Sequence, residues 1–375
     1  MSGIYIHIPF CKQACHYCNF HFSTSLKSKG DLVSAICKEI IIQKDYLKEK
    51  SLTSVYFGGG TPSLLTEDEL GQIFDTLNKV FAWTENPEIT LEANPDDITL
   101  EKLNSFKKWG VNRLSIGIQS FFNEDLIWMN RAHNAQEAQT CIKLAQDVGF
   151  DNITIDLIYG SPTTSHEMWD ENIKIALSLD IPHISSYCLT VEEGTALHHH
   201  VKKGKKMSPD SDVASRQFTT LIENLNASGY EHYEISNFAK PGKYAIHNTN
   251  YWKGTQYLGI GPSAHSFDGR SRSWNIANNQ KYIQSLLENI IPSEREELSP
   301  STRYNEYIMT GLRTMWGVKL DEINGFGSEF VPYFLKGIQD EIQKGFVTHD
   351  EHNYTLTQVG KHFADGIASN LFWVE

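Results

Sequence analysis

Ile4-Tyr5-Ile6-His7-Ile8-Pro9-Phe10-Cys11 is the stretch that decides the fold, because an apolar run leads directly into a group of cysteines. Cys15 and Cys18 complete the pattern Cys-x-x-x-Cys-x-x-Cys. The run from Ile4 to Ile8 predicts a first β-strand, which places the three cysteines on the loop that leaves it. In a parallel barrel, such a loop lies at the end of the strand where cofactors bind.

Three thiolates are one fewer than a cubane iron–sulfur cluster requires. A 4Fe-4S cluster bound by these cysteines would keep one iron without a protein ligand, and S-adenosylmethionine can chelate that iron through its amino and carboxylate groups. The spacing therefore favours radical chemistry. A zinc site is the alternative, because His7, His16 or His21 could supply a fourth ligand.

The composition limits the class of protein. With 375 residues, 40% of them hydrophobic and 21% charged, we expect a globular chain of two or three domains. A net charge of -13 argues against a protein that binds nucleic acid mainly through phosphates. Six sparse cysteines and no visible signal peptide favour the cytoplasm. No apolar stretch is long enough to span a bilayer, although peripheral membrane association through a partner stays open.

Apolar runs alternate with amphipathic stretches along the first half of the chain. The predicted strands are Ile4 to Ile8, Ser54 to Phe57, Glu88 to Glu92, Arg113 to Gln119, Ile153 to Tyr159 and His183 to Leu189. The predicted helices are Asp31 to Leu47, Glu67 to Phe81, Leu100 to Lys108, Ala135 to Val148 and His166 to Leu179. This order implies an α/β protein with a parallel sheet, curled into an open (β/α)6 partial barrel.

Polar and glycine-rich residues gather where the predicted strands end, which is the catalytic rim of a parallel barrel. Gly58-Gly59-Gly60-Thr61 follows strand two, and its backbone N–H groups could approach a ligand closely, although a triple glycine can also be a tight turn. Glu92 ends strand three and Asp156 lies in strand five. Buried without a partner, these acids would be costly, so we expect a cofactor, or an ion pair with an arginine such as Arg131, to satisfy them.

Five motifs together resemble the coproporphyrinogen III oxidase-like branch of the radical S-adenosylmethionine superfamily. They are Tyr5 to Cys18, Gly58 to Pro62, Glu92 to Pro95, Gly117 to Ser120 and Ile155 to Gly160. The resemblance implies that Cys11, Cys15 and Cys18 hold the cluster. It also implies an S-adenosylmethionine pocket lined by Tyr5, Gly60, Thr61, Glu92, Gln119, Arg131 and Asp156.

Two functions occur in that branch, an oxygen-independent oxidase that decarboxylates coproporphyrinogen III and a heme chaperone that delivers heme to acceptor proteins. In the oxidases the motif continues as Cys-x-x-Cys-x-Cys, with another cysteine two residues after the third. In this chain the position two residues after Cys18 is Phe20, as in the chaperones. The oxidases also carry an N-terminal arm, whereas this chain enters its first strand by Ile4. We therefore expect a heme chaperone that binds S-adenosylmethionine and lacks oxidase activity, with an acceptor that the sequence does not identify.

His247-Asn-x-x-Tyr251-Trp252 resembles a motif of the heme chaperones, which makes His247 the predicted axial ligand of heme iron. Without the resemblance, a histidine beside two aromatic residues indicates ordinary packing.

The resemblance also predicts three parts of the chain: a barrel over residues 1–235, an extension carrying the histidine motif over 236–298, and a small winged-helix-like α+β domain over 299–375. In the last part the sequence predicts helices Arg303 to Met315 and Val331 to Lys344, then a hairpin and a final helix from Thr357. Given the acidic balance, we expect this domain to cap the barrel or bind a partner rather than DNA.

Overall fold

The computed structural model describes residues 2–374, and within them one sheet joins twelve strands in the order β12-β11-β10-β9-β1-β2-β3-β4-β5-β6-β8-β7. Neighbours from β9 through β6 run parallel, and antiparallel strands extend both edges. The first six strands are β1 (Ser2–Ile8), β2 (Ser51–Gly59), β3 (Ala82–Ala93), β4 (Arg113–Gln119), β5 (Ile153–Tyr159) and β6 (His183–Cys188). The predicted open barrel of the α/β class is confirmed.

Helices connect these strands and cover the outside of the sheet. They are α1 (Lys29–Ile42), α2 (Glu67–Val80), α3 (Leu100–Lys108), α4 (Asn123–Met129), α5 (Ala135–Asp147) and α6 (His166–Ser178), with 3-10 turns at Pro62–Leu64 and Pro95–Asp97. The sequence did not predict α4, which is only seven residues long. A capping box begins α2. Thr66 Oγ1 accepts a hydrogen bond from the Glu69 N–H, and the Glu69 carboxylate accepts one from the Thr66 N–H.

The chain then completes the edges of the sheet. The next elements are α7 (Ala196–Lys202), α8 (Ser211–Ala227), β7 (Glu231–Glu234), β8 (Asn237–Ala239), α9 (Ile246–Trp252), β9 (Tyr257–Ile260), β10 (His265–Phe267), β11 (Ser271–Asn275), α10 (Asn279–Leu287) and β12 (Ser293–Glu297). Strand β9 lies beside β1, so the segment after α9 returns to the first strand of the barrel.

The C-terminal elements form a helical unit with a three-stranded sheet in the order β13-β15-β14. They are α11 (Pro300–Leu312), β13 (Val318–Lys319), α12 (Leu320–Asn324), α13 (Phe330–Gln343), β14 (Val347–His349), β15 (Asn353–Leu356), a 3-10 turn (Gly360–Phe363) and α14 (Ala364–Asn370). Helix α11 begins three residues before the prediction, because Ser299 caps it and Pro300 suits its first turn. The unit has its own apolar core around Ile308, Phe334 and Ile367.

An ion pair joins the two units, since Arg313 Nε donates to Glu234 Oε1 at 3.1 Å and Glu234 forms an isolated β-bridge with Thr314. Between them lies a cavity of about 1270 Å³, lined by residues of β1, the cysteine loop, the β9–β11 segment and the C-terminal unit. No helix in residues 2–374 is both long and apolar enough to cross a membrane.

Candidate functional site

The cysteine loop joins β1 to α1, and backbone hydrogen bonds close its base. The Cys11 N–H donates to the Ser23 carbonyl at 3.0 Å, and the Ser23 N–H donates to the Pro9 carbonyl at 2.8 Å. Cys11, Cys15 and Cys18 are partly buried free thiols. The strand order therefore places all three sulfurs on one loop at the C-terminal rim of the barrel.

Two side chains from outside the loop contact the thiols, one after β2 and one after α4. Thr61 Oγ1 donates to Cys11 Sγ at 3.4 Å, and Arg131 donates to Cys15 Sγ at 3.3 Å. Burial raises the pKa of the Cys11 thiol to about 11. Within residues 2–374, no three His, Cys, Asp or Glu side chains are arranged to hold a single metal ion. Three unpaired thiols on one loop are a donor set that suits a cluster one ligand short of four.

The glycines after β2 allow two backbones to approach closely. A Cβ at Gly60 would lie 2.7 Å from the Phe10 backbone, and a Cβ at Gly59, where φ is +105°, would lie 2.5 Å from the His7 ring. The Gly60 N–H donates to the Ile8 carbonyl at 3.0 Å. Glycine is therefore required here to bring the end of β2 against the cysteine loop.

Glu92 lies at the end of β3 and faces the barrel interior. Its carboxylate accepts from Tyr56 Oη at 2.8 Å and from the Gly59 N–H at 3.2 Å. Burial raises the pKa of Glu92 to about 7, and the nearby charge of Asp156 adds to the shift. Burial also raises the pKa of Asp156 to about 6, against the lowering effect of Arg113.

Neither acid forms an ion pair with any described residue, so the predicted pairing with Arg131 does not occur. Arg131 instead donates to Asn94 Oδ1 at 2.7 Å and to the Gly117 carbonyl at 2.8 Å. Two buried carboxyl groups that form no ion pair, and whose pKa values are raised by burial, are suited to a ligand that carries positive charge.

Gln119 and Tyr5 complete the set of predicted residues. Gln119 ends β4 in the left-handed region at φ +65°, and a Cβ at Gly117 would lie 2.9 Å from its amide nitrogen and 3.2 Å from the Arg131 guanidinium. Tyr5 stacks on Tyr56, with ring centroids 6.1 Å apart. The barrel thus brings all the predicted strand-end residues to one end of its interior.

His247 lies inside the barrel nearer the first residues of the strands, with its ring stacked on that of Tyr56 at a centroid distance of 5.2 Å. Its Nδ1 lies 2.9 Å from Ser54 Oγ, its Nε2 lies 2.9 Å from Tyr251 Oη, and its N–H donates to Glu88 Oε1 at 2.8 Å. The ring is buried, and burial lowers its pKa to about 3. Both ring nitrogens are therefore engaged within the protein, so iron could bind only if Ser54 or Tyr251 released its bond.

Comparisons with known proteins agree with this architecture. The family model of the radical SAM superfamily matches residues 5–176, and the model of the HemN C-terminal domain matches residues 298–363. The heme chaperone HemW of Bacillus subtilis (strain 168) is 33% identical over 365 residues, 96% of each chain. HemW of Escherichia coli (strain K12) is 31% identical, covering 97% of this chain and 96% of its own. The chain belongs to the HemW family.

A solved structure shows the shared fold. Coproporphyrinogen III oxidase (HemN) from Escherichia coli superposes with a TM-score of 0.86 over 99% of this chain and 90% of its own, at 23% identity. The predicted membership in the oxidase-like branch of the radical SAM superfamily is confirmed by the two family models and by HemW relatives at 30% identity or more.

Sequence reasoning missed two residues of this candidate site. Tyr56 bonds Glu92, and Asn94 links Thr61 to Arg131, donating to Thr61 Oγ1 at 3.1 Å. Tyr56 pairs in register with Tyr5, so it lies level with a predicted site residue on the same face of the sheet. Alternation along β2 could have identified it, whereas the role of Asn94 depends on where Arg131 comes to lie.

Proposed function

We propose that this chain binds heme and transfers it to acceptor proteins, on a scaffold that holds a 4Fe-4S cluster and S-adenosylmethionine. The observation that carries the proposal is the cavity, which adjoins the cysteine loop at Asn19 and Phe20 and is large enough for a ligand of drug size or above. The names of the HemW relatives support heme as its occupant.

We assign Cys11, Cys15 and Cys18 as the cluster ligands. When bound, the cluster offers an iron with an open position and a source of one electron. Thr61 and Arg131 would hold the sulfurs of Cys11 and Cys15 through the contacts already present. Arg131 cannot lose its proton, so it would also offset part of the negative charge of the thiolates.

We assign the S-adenosylmethionine pocket to the strand ends around this loop. The residues are Tyr5, Gly60, Thr61, Glu92, Gln119, Arg131 and Asp156. Glu92 and Asp156 support this assignment, because neither forms an ion pair and burial raises the pKa of both. The cofactor carries an ammonium and a sulfonium, which would stabilise the ionised forms of these acids.

The oxidase alternative is less well supported. Phe20 stands where the oxidases continue their cysteine motif, and its side chain is 67% exposed and lines the cavity. Curated relatives at 30% identity or more over nearly the full chain include the heme chaperones of Bacillus subtilis and Escherichia coli, whereas the likeness to the oxidase structure concerns the fold.

Anaerobic reconstitution followed by two assays separates the functions. We expect saturable heme binding and no conversion of coproporphyrinogen III to protoporphyrinogen IX in the presence of S-adenosylmethionine and a reductant. The proposal would be refuted if cluster-loaded protein decarboxylated coproporphyrinogen III and bound heme no more tightly than an unrelated control protein of similar size. The cytoplasmic location and the boundaries of the three parts stay predictions.

A further inference from the structure

One wall of the cavity is a face of the β9–β11 segment. Phe267 lies opposite Tyr257 on one side and Arg272 on the other, and His265 lies two residues before Phe267 on the same face. All four side chains line the cavity. The wall therefore presents two aromatic rings, an imidazole and a guanidinium to the same space.

His265 differs from the other histidines that line the cavity. His7 has both ring nitrogens engaged, by Tyr5 Oη at 3.1 Å and the His21 carbonyl at 2.9 Å. His21 Nε2 lies 2.7 Å from Asn279 Oδ1. The His265 ring is exposed and its nitrogens form no hydrogen bond with any residue in 2–374, while its ring centroid lies 6.2 Å from that of Trp274. His265 is thus an imidazole held against an aromatic ring with both nitrogens free.

The cavity is cationic although the chain carries a net charge of -13. Four cationic side chains and two carboxylates line it, namely Lys253, Arg272, Arg303, Lys319, Glu306 and Glu322. Arg272 pairs with Glu306 at 2.8 Å, whereas the other three cations have no carboxylate partner among the described residues. A local excess of two positive charges matches a ligand with two carboxylates.

Aromatic rings hold two of the unpaired cations in place. Lys253 Nζ lies 4.2 Å from the ring centroid of Trp316, and Arg303 lies 5.1 Å from that of Phe326. Together with Tyr257 and Phe267 these rings give the cavity extended apolar faces. A flat macrocycle with two carboxylates at its edge and a metal at its centre matches all three features. Its plane could pack on the aromatic rings, its carboxylates could pair with the cations, and its metal could bind the free imidazole.

We infer that heme binds in this cavity with His265 as an axial ligand and with its propionates beside Lys253 and Arg303. This inference rests on the proposed function and names the residues that perform it. It assigns the iron to the exposed imidazole in the cavity rather than to the buried ring of His247.

The first test is a titration of the full-length chain with hemin, followed by the Soret band. We expect His265→Ala to shift the band and to lower heme affinity at least tenfold, and added imidazole to restore the wild-type spectrum, because the cavity is open. His199→Ala, at an exposed histidine outside the cavity, serves as the matched control and should behave as wild type. A wild-type spectrum for His265→Ala, or a loss that imidazole does not restore, would overturn the inference.

The second test addresses the propionates. Heme dimethyl ester, which lacks both carboxylates, should bind the wild-type protein more weakly than heme does, and Arg303→Gln should narrow that difference. Arg270→Gln, at an exposed arginine that does not line the cavity, is the matched control. Equal affinity of the wild type for heme and its ester would contradict the charge match.

The failure of the inference and the failure of the proposed function have different signatures. A wild-type chain that shows no saturable heme binding refutes the function. A wild-type chain that binds heme normally, while His265→Ala keeps its spectrum, refutes only this site.

Discussion

Two regions of the molecule, the strand-end site and the cavity, differ in how their polar groups are satisfied. The strand-end site is formed by the cysteine loop and the strand-end residues around it, and it meets the cavity at Tyr5, Asn19 and Phe20. In the strand-end site, buried acids stand beside hydroxyl and amide donors, with pKa values raised by burial. In the cavity, the exposed Lys253 and the half-buried Arg303 rest on aromatic rings without carboxylate partners. The first region is prepared for a positively charged ligand and the second for a dianion, so we expect them to bind different molecules independently.

The largest expected effect tests that independence. Cys18→Ser should abolish cluster assembly, so that reconstituted protein falls from about four irons per chain to none and loses its visible absorption. Heme affinity should stay unchanged, because Cys18 does not line the cavity. Iron analysis and a heme titration on the same sample measure both. Tight stoichiometric zinc in protein prepared without oxygen, with no iron uptake, would instead establish the zinc alternative.

The next effect concerns the acids of the strand-end site. Glu92→Ala and Asp156→Ala should each weaken S-adenosylmethionine binding by about tenfold to a hundredfold, since a charge-assisted hydrogen bond contributes about 1.5 to 3 kcal/mol. Isothermal titration of reconstituted protein measures the change, with iron content as the control for an intact cluster. Unchanged affinity in either variant would leave that acid with a purely structural role.

A smaller effect is the pH dependence of that binding. Glu92 has a pKa of about 7, above its ordinary 4.5, so without ligand it is mostly protonated below pH 7. A cationic ligand favours the ionised form, so affinity should rise roughly tenfold between pH 5.5 and 7. The same raised pKa means that the contribution of Glu92 to the free energy of unfolding declines as pH rises from about 4.5 to 7. Glu92→Gln should reduce the slope of both profiles to the part that Asp156, with a pKa of about 6, contributes. A profile that keeps its full slope in this variant would assign the titration to another group.

The smallest effect belongs to the cavity. Lys253→Met should weaken heme binding by about twofold to fivefold, because an exposed charge contributes at most about 1 kcal/mol. Lys243→Met, at an exposed lysine outside the cavity, should change nothing. The loss should also shrink at high salt, which screens exposed charges. An equal response of the two lysines would show that the cavity has no special affinity for carboxylates.

Much of the strand-end site could be predicted from the sequence, because its information is local. The cysteine spacing lies within eight residues, and polar groups at strand ends follow from the order of strands and helices. The position of Arg131 could not be read in this way, since it depends on α4, which is too short to produce a clear period. Asn94, bonded to Arg131 from another strand end, was missed for the same reason.

The cavity could not be predicted, because its chemistry comes from distant parts of the chain. Lys253 follows α9, whereas Arg303 lies in α11, and only packing brings them to one space. His247 shows the opposite case, where a visible motif indicates a ligand but the ring is engaged by Ser54, far away in sequence. Its other partner, Tyr251, lies one helical turn later and could have been recognised by spacing.

The most direct test of two independent regions is a hemin titration of one protein preparation with and without its cluster. We predict saturation at about one heme per chain, with the same affinity and Soret band in both forms. Heme binding that appears only when the cluster is present, or no saturable binding in either form, would contradict the separation of the strand-end site from the cavity.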